Sequence, residues 1–123
     1  MTEPVILTLP QLQDALAYWQ PALRLQDWDI SVSISHKILD EGAADVDWLL
    51  HKKLAAIKIC SVEVYPADSL WPQDMEVSIV HELVHLLLVA ITPDRKESAY
   101  VDLEQAIQSI STALVRLKRE AGQ

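Results

Sequence analysis

Residues 76–91 read EVSIVHELVHLLLVAI, and the conformation of this run decides how the rest of the chain must be arranged. It lacks the period-two alternation of a half-buried strand and is too long for a fully buried one, so it predicts a helix from about Met75 to Ile91. Apart from a few early residues, only His81, Glu82 and His85 break its apolar character. A helix with so little polar surface must be covered on most sides. Its longest apolar stretch, Leu83 to Ile91, is interrupted by His85 and stopped by Pro93. That is far short of the roughly 20 residues needed to cross a bilayer. The helix therefore belongs to a protein core, and the flanking segments have to supply its cover.

Working outward, YPADSLWPQD (residues 65–74) is broken by prolines and ends on a possible cap, Asp74, with Asp68 as an alternative. Upstream, LAAIKICSVEV (54–64) predicts a strand apolar on both faces. In DWDISVSISH (27–36), Trp28, Ile30, Val32 and Ile34 alternate with Asp29, Ser31, Ser33 and Ser35, the pattern of a half-buried strand. A turn at Glu41-Gly42 separates it from a second alternating segment, in which Val46, Trp48 and Leu50 interleave with Asp45 and Asp47. Another turn near His51-Lys52-Lys53 leads into the third strand. The chain begins with a helix signalled by a Thr8 cap, Pro10 in the first turn and a capping-box Gln11. Leu12, Leu16, Trp19 and Leu23 form its apolar stripe, and Pro21 distorts or ends it. Beyond the Thr92-Pro93-Asp94 break, a last helix is expected from about Asp94 to Arg119, with a seam of Tyr100, Leu103, Ile107, Ile110, Leu114 and Leu117. The expected fold is α+β: an N-terminal helix, a three-stranded antiparallel meander, the 75–91 helix and a long C-terminal helix, in a single domain over residues 1–123.

Composition narrows the function. The chain has 123 residues, half of them apolar, and a formal net charge of -8. That length suits one core. An acidic surface repels polyphosphates, so nucleic acid is not the expected ligand. The single cysteine, Cys60, excludes an internal disulfide or a multi-cysteine zinc cluster and fits a reducing cytoplasm. The opening MTEPVILTLPQLQD lacks the basic segment of an export leader, and no membrane association is expected.

The chemistry lies in HELVH, residues 81–85. Residues four apart share a helix face, so His81 and His85 can present nitrogens to one ion. Glu82, one position on from His81, is badly placed to ligate with them and well placed to act as general base on a water beside the ion. Zinc accepts imidazole nitrogens at about 2.0–2.1 Å and, in catalytic sites, takes three protein ligands. The third is expected from the last helix, where Glu97 and Glu104 occupy the seam edge adjoining the preceding helix, while Asp102 points away. Helix register alone leaves Glu97 and Glu104 both open. Tyr100 fits a core position on the seam, Tyr65 a loop and His51 a polar turn. Trp19, Trp28 and Trp48 read as core, Trp71 as a possible pocket rim, Cys60 as a buried small residue, and His36 as a residue without an identifiable partner.

Taken in order, RLQDWDISV, HELVHLLL and LEQAIQSISTALV resemble the small metallopeptidases of phages and prophages over most of the chain, and more broadly the gluzincins, the thermolysin-like zinc peptidases, in a minimal zincin-like form. The resemblance implies a glutamate ligand on the following helix, with an Asp or Asn four positions later steadying a zinc-bound histidine. Glu104-Gln105-Ala106-Ile107-Gln108 fits that pattern, with Gln108 in the last position; Glu97 is followed by Val101. The resemblance thus favours Glu104 as third ligand with Glu97 in reserve, Zn2+ as cofactor and a peptide or protein as substrate. Larger members build the far wall of the cleft from a second subdomain, which also donates groups that stabilise the oxyanion; the resemblance leaves Tyr65, Tyr100 and His51 as the candidates for that role here and a homo-oligomer or the target protein as the expected completion of the cleft. The alternative expectation is a non-catalytic, zinc-stabilised interaction module of phage origin, which a fourth protein ligand would betray.

Overall fold

A computed structural model describes residues 3–40 and 42–122, so residues 1, 2, 41 and 123 lie outside the description, among them Glu41 of the expected Glu41-Gly42 turn. Helix α1 spans Leu9–Ala22, strands β1, β2 and β3 span Asp29–Ser35, Ala44–Leu49 and Leu54–Cys60, and helices α2 and α3 span Met75–Leu87 and Ser98–Glu120. The fold is α+β.

Local chemistry explains the first element. The Thr8 hydroxyl accepts from the Gln11 amide while the Gln11 side chain accepts from the Thr8 amide, completing the capping box, and Pro10 sits in the first turn. Pro21 lies within the last turn of α1, which stops at Ala22. Leu12, Leu16 and Trp19 are buried along one stripe.

The sheet differs from the expected antiparallel meander: it is mixed, with order β1-β3-β2. β3 lies in the centre, parallel to β1 and antiparallel to β2. The segment between Ser35 and Ala44 carries the chain across the end of β3, where the Ser61 amide donates to Ser35 and the Cys60 amide to Ala43. The physical reason is burial. The most apolar of the three strands has Ala55, Ile57 and Ile59 buried on one face, and it takes the position with a neighbour on either side; the more polar β1 and β2 become edges. Gly42 precedes β2 with φ of 94°, a left-handed conformation that favours glycine. The β2–β3 link contains a short 3-10 turn, Leu50–Lys52, closed by Lys53 at φ 50°.

Buried residues from α1, all three strands, α2 and α3 form one continuous cluster. α2 is its hub, packed against α1, β2, β3 and α3, which accounts for its nearly uniform apolarity. Asp74 caps it by accepting from the Val77 amide, and Val5 bonds on both sides of Asp74 to hold its entry. α2 ends at Leu87, followed by a 3-10 turn over Val89–Ile91. Among the described residues, no helix is long and apolar enough to cross a membrane.

Two further expectations are corrected. On α3 the buried face runs through Ile107, Ser111 and Val115, while Ile110 and Leu117 are exposed. A straight helix drifts off a strict seven-residue repeat, and small Ser111 fits the close approach to the rest of the fold, its hydroxyl returning to the Ile107 carbonyl at 2.7 Å. Trp19 and Trp28 are core, but Trp48 is 38% exposed, because β2 is an edge strand.

Candidate metal centre

α3 folds back along α2. At one end, Asp74 and Glu76 at the start of α2 pair with Lys118 and Arg119 at the end of α3; Arg119 Nη1 lies 2.8 Å from Asp74 Oδ2 and Arg119 Nη2 3.3 Å from Glu76 Oε1. Trp19 of α1 donates to Glu76 at 2.9 Å, and the Lys118 ammonium stands 4.5 Å from the Tyr18 ring centroid. The acidic start of α2 and the basic end of α3 also complement the two helix dipoles. Burial works against the ionised Glu76 carboxyl, but hydrogen bonds from Lys118 and Trp19 and the charges of Lys118 and Arg119 hold it below its usual range.

This pairing brings His81, His85 and Glu104 together. Their ligand atoms all lie within 4.8 Å of one another, a group that could hold a metal ion. Glu104 Oε1 is 2.5 Å from His85 Nε2 and Glu104 Oε2 is 3.2 Å from His81 Nε2, so both imidazoles turn the same nitrogen toward one carboxylate. The imidazole planes are 54° apart with centroids at 5.0 Å, as expected one helical turn apart. On the far side of His81, Nδ1 lies 2.8 Å from Gln108 Oε1. With the amide oxygen accepting, Nδ1 carries the proton and Nε2 is left with a free lone pair, the tautomer a cation needs. Burial also holds His85 below its ordinary pKa, opposed by Glu104, which favours its neutral, ligating form. The donor set therefore fits a divalent cation that accepts nitrogen and oxygen together.

Of the two glutamates that helix facing leaves open, the structure brings Glu104 to the imidazoles. Glu97 is the exposed N-cap residue of α3, with no side-chain capping bond, and stands outside the group that could hold a metal ion. Thr92 and Asp94 organise the intervening turn, Thr92 Oγ1 bonding to the Leu88 carbonyl at 2.9 Å and the Glu97 amide to the Asp94 carbonyl at 2.9 Å. Asp102 is exposed.

Glu82 is 6% exposed and lines the same cleft as His81, His85 and Glu104. Burial, then the charges of Glu104 and Asp45, push its carboxyl up to about 8. The cleft encloses about 1060 Å³ between β2 on one side and the α2–α3 connection on the other. Asp45 and Asp47 on β2, and Arg95 on the connection, also line it, and none of the three stands out as functional from the sequence. Asp45 Oδ1 is buried without a hydrogen-bond partner, and burial followed by Asp47 raises the pKa of its carboxyl. Alternation had marked Asp45 and Asp47 as the outward residues of an ordinary strand. Only the placement of β2 at the edge beside α2 turns that strand toward the cleft.

Among the three oxyanion candidates, Tyr100 is half-buried in the cleft wall, outside the core cluster to which the seam had assigned it. The Tyr65 hydroxyl is tied to the Trp71 carbonyl at 2.9 Å and to Ser69, and His51 is exposed in the β2–β3 turn. Trp71 is exposed and does not line the cleft. Cys60 is fully buried beneath Gln73, which donates to its carbonyl at 2.8 Å. His36 has a neighbour after all, with Nδ1 3.7 Å from Glu63 on the exposed surface. Comparison with protein-family models, with curated proteins and with solved structures gives no match for this chain.

Proposed function

We propose that this chain is a zinc-dependent peptidase of minimal zincin-like form, hydrolysing peptide bonds with Glu82 as general base. One observation supports it above the others: a buried carboxyl shares an open cleft with two imidazoles and a second carboxylate whose ligand atoms converge within 4.8 Å. His81, His85 and Glu104 are the residues to hold the ion. A bound zinc ion supplies a Lewis acid and a water whose pKa is lowered toward about 7. The chain's own residues do the rest. Glu82 is positioned to accept a proton from water and return it to the leaving amine. Gln108 holds His81 in its ligating tautomer, the task that the gluzincin resemblance assigns to this position. β2 is an edge strand bordering the cleft, so its outer backbone groups can pair with an extended peptide and lay it past the site. The reading as a closed, zinc-stabilised interaction module calls for a fourth protein ligand, and the group found among the described residues comprises three.

The test pairs metal analysis with peptidase assays. Wild-type protein is expected to carry zinc and to cleave members of a mixed peptide library. Glu82→Gln is expected to bind zinc equally and to lose at least about 100-fold in rate. Equal activity of the two proteins would reject Glu82 as the base.

A further inference from the structure

We infer that the cleft selects extended peptides carrying basic side chains at two positions separated by one residue, bound alongside Asp45 and Asp47 of β2. This rests on the peptidase reading and names the class of substrate for it.

β2 pairs with β3 along one edge, and no described strand covers the other. In the β2–β3 ladder Asp45 stands opposite Lys58 and Asp47 opposite Ala56, so the two aspartates share one face of the sheet with a single residue between them. A peptide added to the open edge presents its own alternate side chains on that face, directly beside theirs. Both aspartates line the cleft that holds Glu82, and Asp40, ahead of β2 in the chain, extends the same acidic wall.

Charges on an edge strand commonly do no more than keep sheets from joining, and such charges are solvated. Asp45 differs, because its Oδ1 is buried in the cleft wall and has no hydrogen-bond partner among the described residues. A buried carboxylate oxygen in that state is unfavourable until a donor reaches it. Lys58, its cross-strand neighbour, is exposed and forms no ion pair with it. Elsewhere the chain does neutralise its acids, pairing Asp27 with Lys53, Asp74 with Arg119 and Glu76 with Lys118. Glu82, a second buried carboxyl lining the same cleft, likewise makes no hydrogen bond among the described residues. Burial and the neighbouring Asp47 charge both raise the pKa of Asp45, and a cation bound between the two aspartates favours the ionised form against both. An ammonium or guanidinium group supplies the missing donor and the missing charge together. Charge also sets the occupant. With a net charge of -8, a second copy of the chain would bring its own aspartates to this edge, whereas a basic segment meets opposite charges.

The experiment uses zinc-loaded Glu82→Gln, which separates binding from cleavage, and three matched peptides carrying lysine, glutamine or glutamate at two positions separated by one residue. Dissociation constants are measured in this protein and after adding Asp45→Asn, Asp47→Lys or Asp14→Asn to it, and kcat/KM is measured in the same proteins with Glu82 intact. The lysine peptide is expected to bind at least about 10-fold more tightly than the glutamine peptide, and the glutamate peptide more weakly than either. Asp45→Asn reduces the lysine preference to within about threefold, and Asp47→Lys shifts the preference to the glutamate peptide. Asp14→Asn, an exposed change on α1, keeps the original order. The kcat/KM values follow the affinities. Equal affinity for the lysine and glutamine peptides overturns the inference, as does a lysine preference undiminished in both β2 variants. Selective binding of the lysine peptide without its cleavage by zinc-loaded wild type leaves the recognition standing and overturns the peptidase reading itself.

Discussion

Replacing Gln108 by alanine tests the candidate metal centre through a residue outside the three-residue group. With Gln108 Oε1 accepting from His81 Nδ1 across 2.8 Å, Nε2 is the imidazole nitrogen left free for a cation. Loss of such a supporting bond costs about 10–100-fold in metal affinity, equivalent to about 1.4–2.7 kcal/mol. The geometry selects the lower end of that range. The contact lies at the solvent-facing side of the α2–α3 pair, where water can replace the amide oxygen at small cost. Gln108→Ala is therefore expected to weaken zinc binding about 10-fold. Gln108→Glu offers a charged acceptor, which makes a hydrogen bond roughly twice as strong, and is expected to bind zinc at least as tightly as wild type. Competition against a chromophoric chelator at fixed pH measures both, with Glu104→Ala as the variant that removes a ligand. Metal-free unfolding of Gln108→Ala should stay within about 0.5 kcal/mol of wild type, as for other exposed substitutions. The reasoning fails if Gln108→Ala binds zinc as tightly as wild type while Glu104→Ala does not bind, because the tautomer is then set without Gln108.

Two predictions concern the fold around the site. Glu76 has a folded-state pKa below its ordinary value of 4.5, so its contribution to stability is complete above that value and is lost as pH falls through the lower folded value. Urea unfolding between about pH 5 and pH 3 should show wild type losing more stability than Glu76→Gln; parallel pH profiles would count against the ion-pair account. At fully buried Ser111, Ser111→Leu is expected to cost about 1–3 kcal/mol by overpacking, whereas Ser111→Ala should change stability by no more than about 1.5 kcal/mol, the value of one local hydrogen bond. Denaturant midpoints decide between them, and a fully tolerated leucine would mean that α3 packs more loosely than the buried face indicates.

What could be read from the sequence was mostly local. The Thr8–Gln11 cap, the Asp74 cap and the shared face of His81 and His85 each involve residues within a turn of one another, and each is seen in the structure. Strand alternation announced β1 and β2, but pairing is a long-range property. Nothing in the alternation distinguishes a meander from a chain that crosses over β3, although the apolarity of LAAIKIC already hinted at a central strand. Helix facing places both Glu97 and Glu104 on the flank toward α2. Which of them meets the imidazoles depends on the conformation of residues 92–97, which delays the start of α3 until Ser98 and leaves Glu97 as its cap. Tyr100 carried a signal, its four-residue step from Glu104, yet its place on an apolar stripe argued equally for the core. Asp45 and Asp47 carried none that differs from an ordinary exposed strand face.

The ionic cluster joining Asp74 and Glu76 to Lys118 and Arg119 sits at the far end of the same helix pair that holds His81, His85 and Glu104. Two apolar helices can slide past one another by a turn, about 5.4 Å, and still bury oily surface. Here such a slip would part four charged side chains at one end and scatter the imidazoles and carboxylate at the other. The remote charges thus act as an alignment pin, and loosening them should make the arrangement of His81, His85 and Glu104 less uniform across the population before it makes the protein unfold.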